Sequence, residues 1–158
     1  MNSFREMRRK EKLLPQKDAY EVLENTLYMT LSTVLENGFP YAVPLNHVLF
    51  NGRVYFHCAM EGQKTDAFRK EDRVCLSAVE QCDIVPDRFS TNFRSVTAFG
   101  RIALVEDAGE KRGALKELIR KFSPGFIESG DAYIEKLFDR TAVYRVVIEH
   151  LTGKVSSK

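Results

Sequence analysis

The residues best suited to chemistry lie close together. Gly62, Gln63 and Lys64 follow a β-rich run and open a segment of helical pattern that extends to about Lys70. A glycine brings backbone N–H groups close to a ligand, a lysine supplies a mobile point charge, and a helix start offers unpaired donors with the positive end of its dipole. That combination suits an anion such as a phosphate. His57 and Cys58 stand just upstream. An imidazole with a pKa near 6.5 can deliver protons close to neutral pH, so His57 is the candidate catalytic group. It is equally suited to bonding a backbone carbonyl or a partner subunit. No basic residue adjoins Cys58 in sequence, so the expectation for its thiol is packing.

Positioning these groups requires a hairpin. Tyr41 to Phe50 and Arg53 to Cys58 are rich in aromatic and branched residues and are separated only by Asn51-Gly52, a pair that tolerates positive φ. Within the second strand, Tyr55 and His57 share one face and Phe56 and Cys58 the other. Pro44 interrupts the first of the two runs. Its missing N–H places it at an edge or a bend, and irregular backbone at Val43, Pro44 and Leu45 leaves groups free to bond a planar ligand.

Around this hairpin the pattern predicts a helix after Pro15, with Ala19, Val22 and Leu23 on one face. A strand over Tyr28 to Leu35 ends at Glu36-Asn37-Gly38 and pairs with the run that follows, giving a three-stranded antiparallel meander. Ser32 and Thr33 are both candidate phosphate donors, but only one can face inward. Further strands are expected over Val74 to Val79, Phe93 to Val105 with a bend at Gly100, and Thr141 to Leu151. An irregular connection from Ile84 to about Ser90, helices from Asp107 to about Phe122 and from Asp131 to about Phe138, and a fraying tail from Gly153 complete the expectation. Together these give a mainly β fold with flanking helices, a six-stranded antiparallel barrel that is partly open.

Composition narrows the class. The chain has 158 residues, 44% hydrophobic and 29% charged, which suits one globular domain over residues 1–158. No apolar run approaches the length of a membrane span and no secretory core is present at the N-terminus, so the expected location is the cytoplasm. Three cysteines without a CxxC pair and three dispersed histidines give no disulfide framework and no metal cage. The net charge is +2, and the excess sits in an N-terminal arm, about residues 1–14, with five basic residues against two acidic ones. That arm alone does not favour a nucleic-acid partner.

The ordered motifs LSTV (Leu31 to Val34), GFPYAVPLNHV (Gly38 to Val48), YFHCAMEGQKTDAFR (Tyr55 to Arg69), RSVTAFGR (Arg94 to Arg101) and IEHLTGK (Ile148 to Lys154), with the FREMRRK arm, resemble the nitroimidazole-resistance branch of the pyridoxamine-phosphate-oxidase-like flavin-binding split barrels. The resemblance implies a split β-barrel homodimer with FMN in the crevice between subunits. It assigns Val43, Pro44, Leu45 and Asn46 to the flavin-ring strand, His57 and Cys58 to positions near the flavin, Gln63 and Lys64 to the phosphate loop, and Ser95 to the partner chain's flavin. Tyr41 stands where related oxidases carry arginine, and the C-terminal Arg/His substrate motif of pyridoxamine-phosphate oxidation is not recognisable. The implied activity is an FMN-dependent oxidoreductase passing electrons to a small acceptor such as a nitroimidazole. The alternative is a flavin- or haem-binding protein without turnover.

Overall fold

A computed structural model describes residues 4–157. Seven strands form a single antiparallel sheet: β1 (Tyr28–Val34), β2 (Pro40–Asn46), β3 (Val48–Phe50), β4 (Arg53–Ala59), β5 (Arg73–Val85), β6 (Ser90–Leu104) and β7 (Thr141–Ser156). Across the sheet the order is β2-β1-β5-β6-β7-β4-β3. The two edge strands, β2 and β3, are neighbours in the chain with only His47 between them. One residue spans less than about 4 Å, so the sheet must curl until its opposite edges meet. The fold is therefore the expected split barrel with flanking helices.

The seventh strand arises at His47. Tyr41 to Phe50, expected to run as one strand, leaves the ladder there, because the imidazole turns inward and its Nε2 lies 2.6 Å from the carbonyl oxygen of Leu23. The expected three-stranded meander is accordingly broken. β1 and β2 form their hairpin, with Leu31 opposite Val43, and β3 and β4 form theirs across Asn51-Gly52. Both turn residues have positive φ, 49° and 70°. β2 and β4, however, share no ladder.

Four helices flank the sheet: α1 (Gln16–Asn25), α2 (Gln63–Lys70), α3 (Ala108–Phe122) and α4 (Ile127–Leu137). α3 starts where expected, because the Asp107 side chain accepts the Glu110 N–H at 2.7 Å, a cap generally worth about 1 kcal/mol. α4 starts earlier than Asp131, since the turn at Pro124–Phe126 feeds directly into it.

β5 and β6 extend well past the expected ends into a long hairpin, leaving only Pro86 to Phe89 as connection. β6 pairs with β7 through a register shift between Phe99 and Gly100, the expected bend. A Cβ at Gly100 would lie 2.3 Å from the Val147 carbonyl oxygen, so the close approach of strands requires glycine. The tail does not fray. Phe93 pairs with Ser156, Leu14 N–H bonds the Gly153 carbonyl at 2.9 Å, and Lys12 reaches the Ser156 hydroxyl at 2.7 Å. The basic arm therefore serves in part to fasten β7.

Two apolar layers result. The barrel interior holds Met29, Leu31, Val54, Phe56, Leu76 and Val146, closed by Val22 and Leu23 of α1. Each such side chain contributes about 2–3 kcal/mol. Outside the barrel, Tyr55 and Val143 lie beneath Leu115 and Leu118 of α3 and Ile134 of α4. Tyr55 and Phe56 are thus buried within the chain itself, and the β4 strand needs no second subunit to cover those two rings.

Candidate functional site

β4 has unequal edges. On one side it pairs with β7 from Val54 to Ala59, whereas on the other β3 covers only Arg53 to Tyr55. From Phe56 to Ala59 that second edge has no strand partner. β2 is likewise an edge strand, paired to β1 alone. The two approach within 8 Å between Cα atoms. Between them lies the split, with unpaired backbone donors and acceptors on both walls, which suits a planar ligand carrying polar edges. Pro44, opposite Thr30, sits in the edge strand, where its missing N–H costs the β1 ladder least.

The end of β4 leads into α2. Gly62, the residue before the helix, has φ 145° with open space around it, and no side chain caps the first turn. Thr65 donates to the Gly62 carbonyl at 2.8 Å and fixes the loop. Gln63 is exposed and Lys64 half-buried. The Cys58 side chain packs against the barrel core, and burial pushes its thiol pKa up while the Lys64 charge partly opposes that. The lysine that sequence could not set beside Cys58 is its neighbour in space.

Thr33, not Ser32, faces inward. It is buried, and its hydroxyl has no hydrogen-bond partner, which is uncommon enough to call for one. A cavity of about 570 Å³ lies between the β1–β2 turn and α2; Gln63 and Lys70 line it, with Asp66 and with Glu36, which Lys70 already pairs at 2.8 Å. Asn46 turns away, donating to the Leu27 carbonyl at 2.8 Å. Ser95 is on β6, paired with Val79 and Lys154, two strands from β4 and three from β2. Val43, Pro44 and Leu45 thus lie on the free-edged β2, His57 and Cys58 on the stretch of β4 without a second strand partner, and Gln63 and Lys64 at the start of α2, whereas Ser95 lies on β6.

The three histidines differ. His57 points outward from the barrel into a space under α3 and α4, and burial lowers its pKa below the ordinary 6.5. His47 is fully buried at the β2–β3 crossing, with a pKa lowered to about 4 by burial first. His150 stacks on Phe4 with ring centroids 4.7 Å apart. Among the described residues no three His, Cys, Asp or Glu side chains are grouped to hold a metal ion.

The sequence matches the family described as pyridoxamine 5'-phosphate oxidase over residues 15–155. The chain belongs to that family. No curated protein matches it. Solved structures share its fold. A flavocytochrome from Azotobacter vinelandii is 25% identical, with TM-score 0.83 over 97% of this chain and 73% of the other. A Bacteroides thetaiotaomicron protein, provisionally described as a 5-nitroimidazole antibiotic resistance protein, is 23% identical, with TM-score 0.75 over 90% and 86%. An FAD and heme binding protein from Mycobacterium smegmatis is 20% identical, with TM-score 0.77 over 93% and 74%.

Within this family member, sequence reasoning missed the groups that surround His57. Leu115, Leu118, Ile134 and Tyr133 come from helices about 60 to 80 residues later and carry only the ordinary signal of an amphipathic helix. It also missed Tyr144, which is buried on β7 and stacks on Phe56 at 5.7 Å, one strand from Cys58.

Proposed function

We propose that the protein is a flavoprotein, binding FMN at the split and passing electrons from a reductant to a small acceptor such as a nitroimidazole. The observation that carries this reading is the pair of free strand edges, β2 and β4, the second of which leads into the Gly62–Lys64 loop. Such walls match a flat ring system with hydrogen-bonding edges, and the loop matches a phosphate: Lys64 supplies charge and the first turn of α2 supplies uncapped N–H groups. When bound, the flavin supplies the redox chemistry, and the chain supplies binding, orientation and proton handling. His57 is the proton-handling group, on the stretch of β4 that borders the split.

The printed descriptions of the A. vinelandii and M. smegmatis relatives, which name flavin or FAD together with haem, support a second reading, a carrier that holds the group without turnover. The absorption spectrum of the purified protein and the mass of the released cofactor separate FMN from FAD and haem. Consumption of a reductant with added acceptor separates enzyme from carrier, and a colourless protein that takes up no FMN would remove both readings. Lys64→Ala is expected to weaken FMN by about 2 kcal/mol, roughly thirtyfold, as for a lost charge-assisted hydrogen bond. Fluorescence titration of apoprotein checks this, and equal affinities would exclude Lys64 from the site.

The same reading includes a homodimer, because Ser95 reaches a flavin only on a second copy of the chain. Exposed apolar side chains suited to such a contact include Val79, Ile84 and Phe89 of the β5–β6 hairpin, the last 98% exposed. Light scattering is expected to give twice the 18.1 kDa chain mass. A monomer that still holds flavin tightly would count against the shared site. The expected cellular setting is the cytoplasm; no helix among the described residues is long and apolar enough to cross a membrane.

A further inference from the structure

A pocket of about 170 Å³ lies between the outer face of β4 and the α3–α4 pair. Leu115, Leu118 and Ile119 of α3 and Ile134 and Leu137 of α4 make its walls apolar. None of its lining residues carries a formal charge at neutral pH, so the ligand it fits is neutral. Its size is near that of the cavity of about 150 Å³ that takes up benzene in an engineered protein core, so one aromatic ring fits.

Its polar groups are few. The Thr141 hydroxyl already donates to the Leu137 carbonyl at 3.0 Å. The His57 ring is exposed at the pocket's mouth and makes no hydrogen bond among the described residues, and Tyr133 stands at the rim, 61% exposed. An imidazole at the mouth of an apolar pocket can exchange its water for a hydrogen-bond acceptor on whatever enters.

We propose that this pocket binds a neutral single-ring aromatic bearing a hydrogen-bond acceptor, with the His57 N–H donating to that acceptor and the leucine and isoleucine side chains packing the ring. As the seat of the electron acceptor it rests on the flavoprotein reading; as a binding site it does not. His57 belongs both to the pocket and to the stretch of β4 that borders the split, so a ligand held here lies next to the proposed flavin site.

The test uses the purified protein with whatever cofactor it carries, titrated with nitrobenzene and with toluene, which has a similar ring but no acceptor. Leucine and isoleucine methyl spectra report the site. Saturable shifts at Leu118 and Ile134 are expected, with nitrobenzene about fivefold tighter than toluene, the scale of one net hydrogen bond. His57→Ala should erase that preference. Leu137→Trp, at a half-buried position, should fill the pocket and weaken both ligands at least about tenfold without changing the cofactor spectrum. Absent methyl shifts, or equal affinity in Leu137→Trp, would overturn the pocket. If that variant fails to fold, Tyr133→Ala at the exposed rim serves instead: weaker binding of both probes supports the pocket, and unchanged binding counts against it. Binding at these methyls in a protein without flavin keeps the pocket and removes the flavoprotein reading; flavin without binding does the reverse.

Discussion

Replacing His57 with alanine is expected to leave the cofactor spectrum intact and to slow acceptor-dependent reoxidation by about 10²-fold or more, the usual scale for a lost acid catalyst. The residue lies where such a loss would be felt, on the Phe56–Ala59 edge of β4 that has no strand partner. It does not hold the sheet together, since its ring makes no hydrogen bond among the described residues, so removing it should cost little stability. Burial lowers its pKa from 6.5, which leaves the imidazole mostly neutral at pH 7. The rate of the native protein should therefore rise as pH falls below about 6.5, and the alanine variant should lose that rise. His57→Gln separates binding from proton delivery, because an amide can hydrogen-bond the acceptor but cannot titrate. Stopped-flow reoxidation by a nitroimidazole across a pH series gives the answer. Unchanged rates in a fully flavinated alanine variant would assign His57 to structure alone.

Acid should unfold the protein through a different histidine. The His47 ring is fully buried, its Nε2–H donates to the Leu23 carbonyl, and Nδ1 makes no hydrogen bond of good geometry among the described residues. Lys121 stands close by, donating to the carbonyls of Thr26 and His47 at 2.7 and 3.0 Å. Burial lowers the imidazole pKa to about 4, the Leu23 and Leu45 backbone groups oppose that, and the Lys121 charge adds to the lowering. A second proton would be buried next to an ammonium group.

The sign follows from the direction of the shift. The unfolded chain takes up this proton near pH 6.5 and the folded one only near pH 4, so the stabilisation is complete above about 6.5 and is lost as pH falls through that window. The slope is about 1.4 kcal/mol per pH unit, and the total about 3 kcal/mol. Most carboxylates protonate below this range, and the shift at His57 acts in the same direction. Urea melts of the native protein and of His47→Gln from pH 7.5 to 4.5 isolate the His47 share. The variant should be less stable at neutral pH yet show a flatter pH dependence, and parallel curves would show that His47 is not the sensor.

Several features of this protein are legible from neighbouring residues alone. Asn51-Gly52 specifies its turn because those two residues tolerate positive φ, and Asp107 starts α3 because its own carboxylate reaches the Glu110 N–H. The apolar spacing of Ala19, Val22 and Leu23 marks the buried face of α1. Gly62 and Lys64 announce a helix start with a cation beside it. These are short-range effects, each decided within a few residues.

What sequence could not supply are the long-range partners. The break at His47 depends on a carbonyl 24 residues away, and it sends β2 and β3 to opposite edges of one sheet, which opens the split. The tail from Gly153 looks frayed as a string of small and charged residues, yet the N-terminal arm pairs with it and holds it in β7. Thr33 and Ser32 are equivalent until the β1 register turns Thr33 inward. His57 meets α3 and α4 only once those helices pack on β4. Strand alternation says which residues share a face, but what lies against that face is chosen by packing between distant segments.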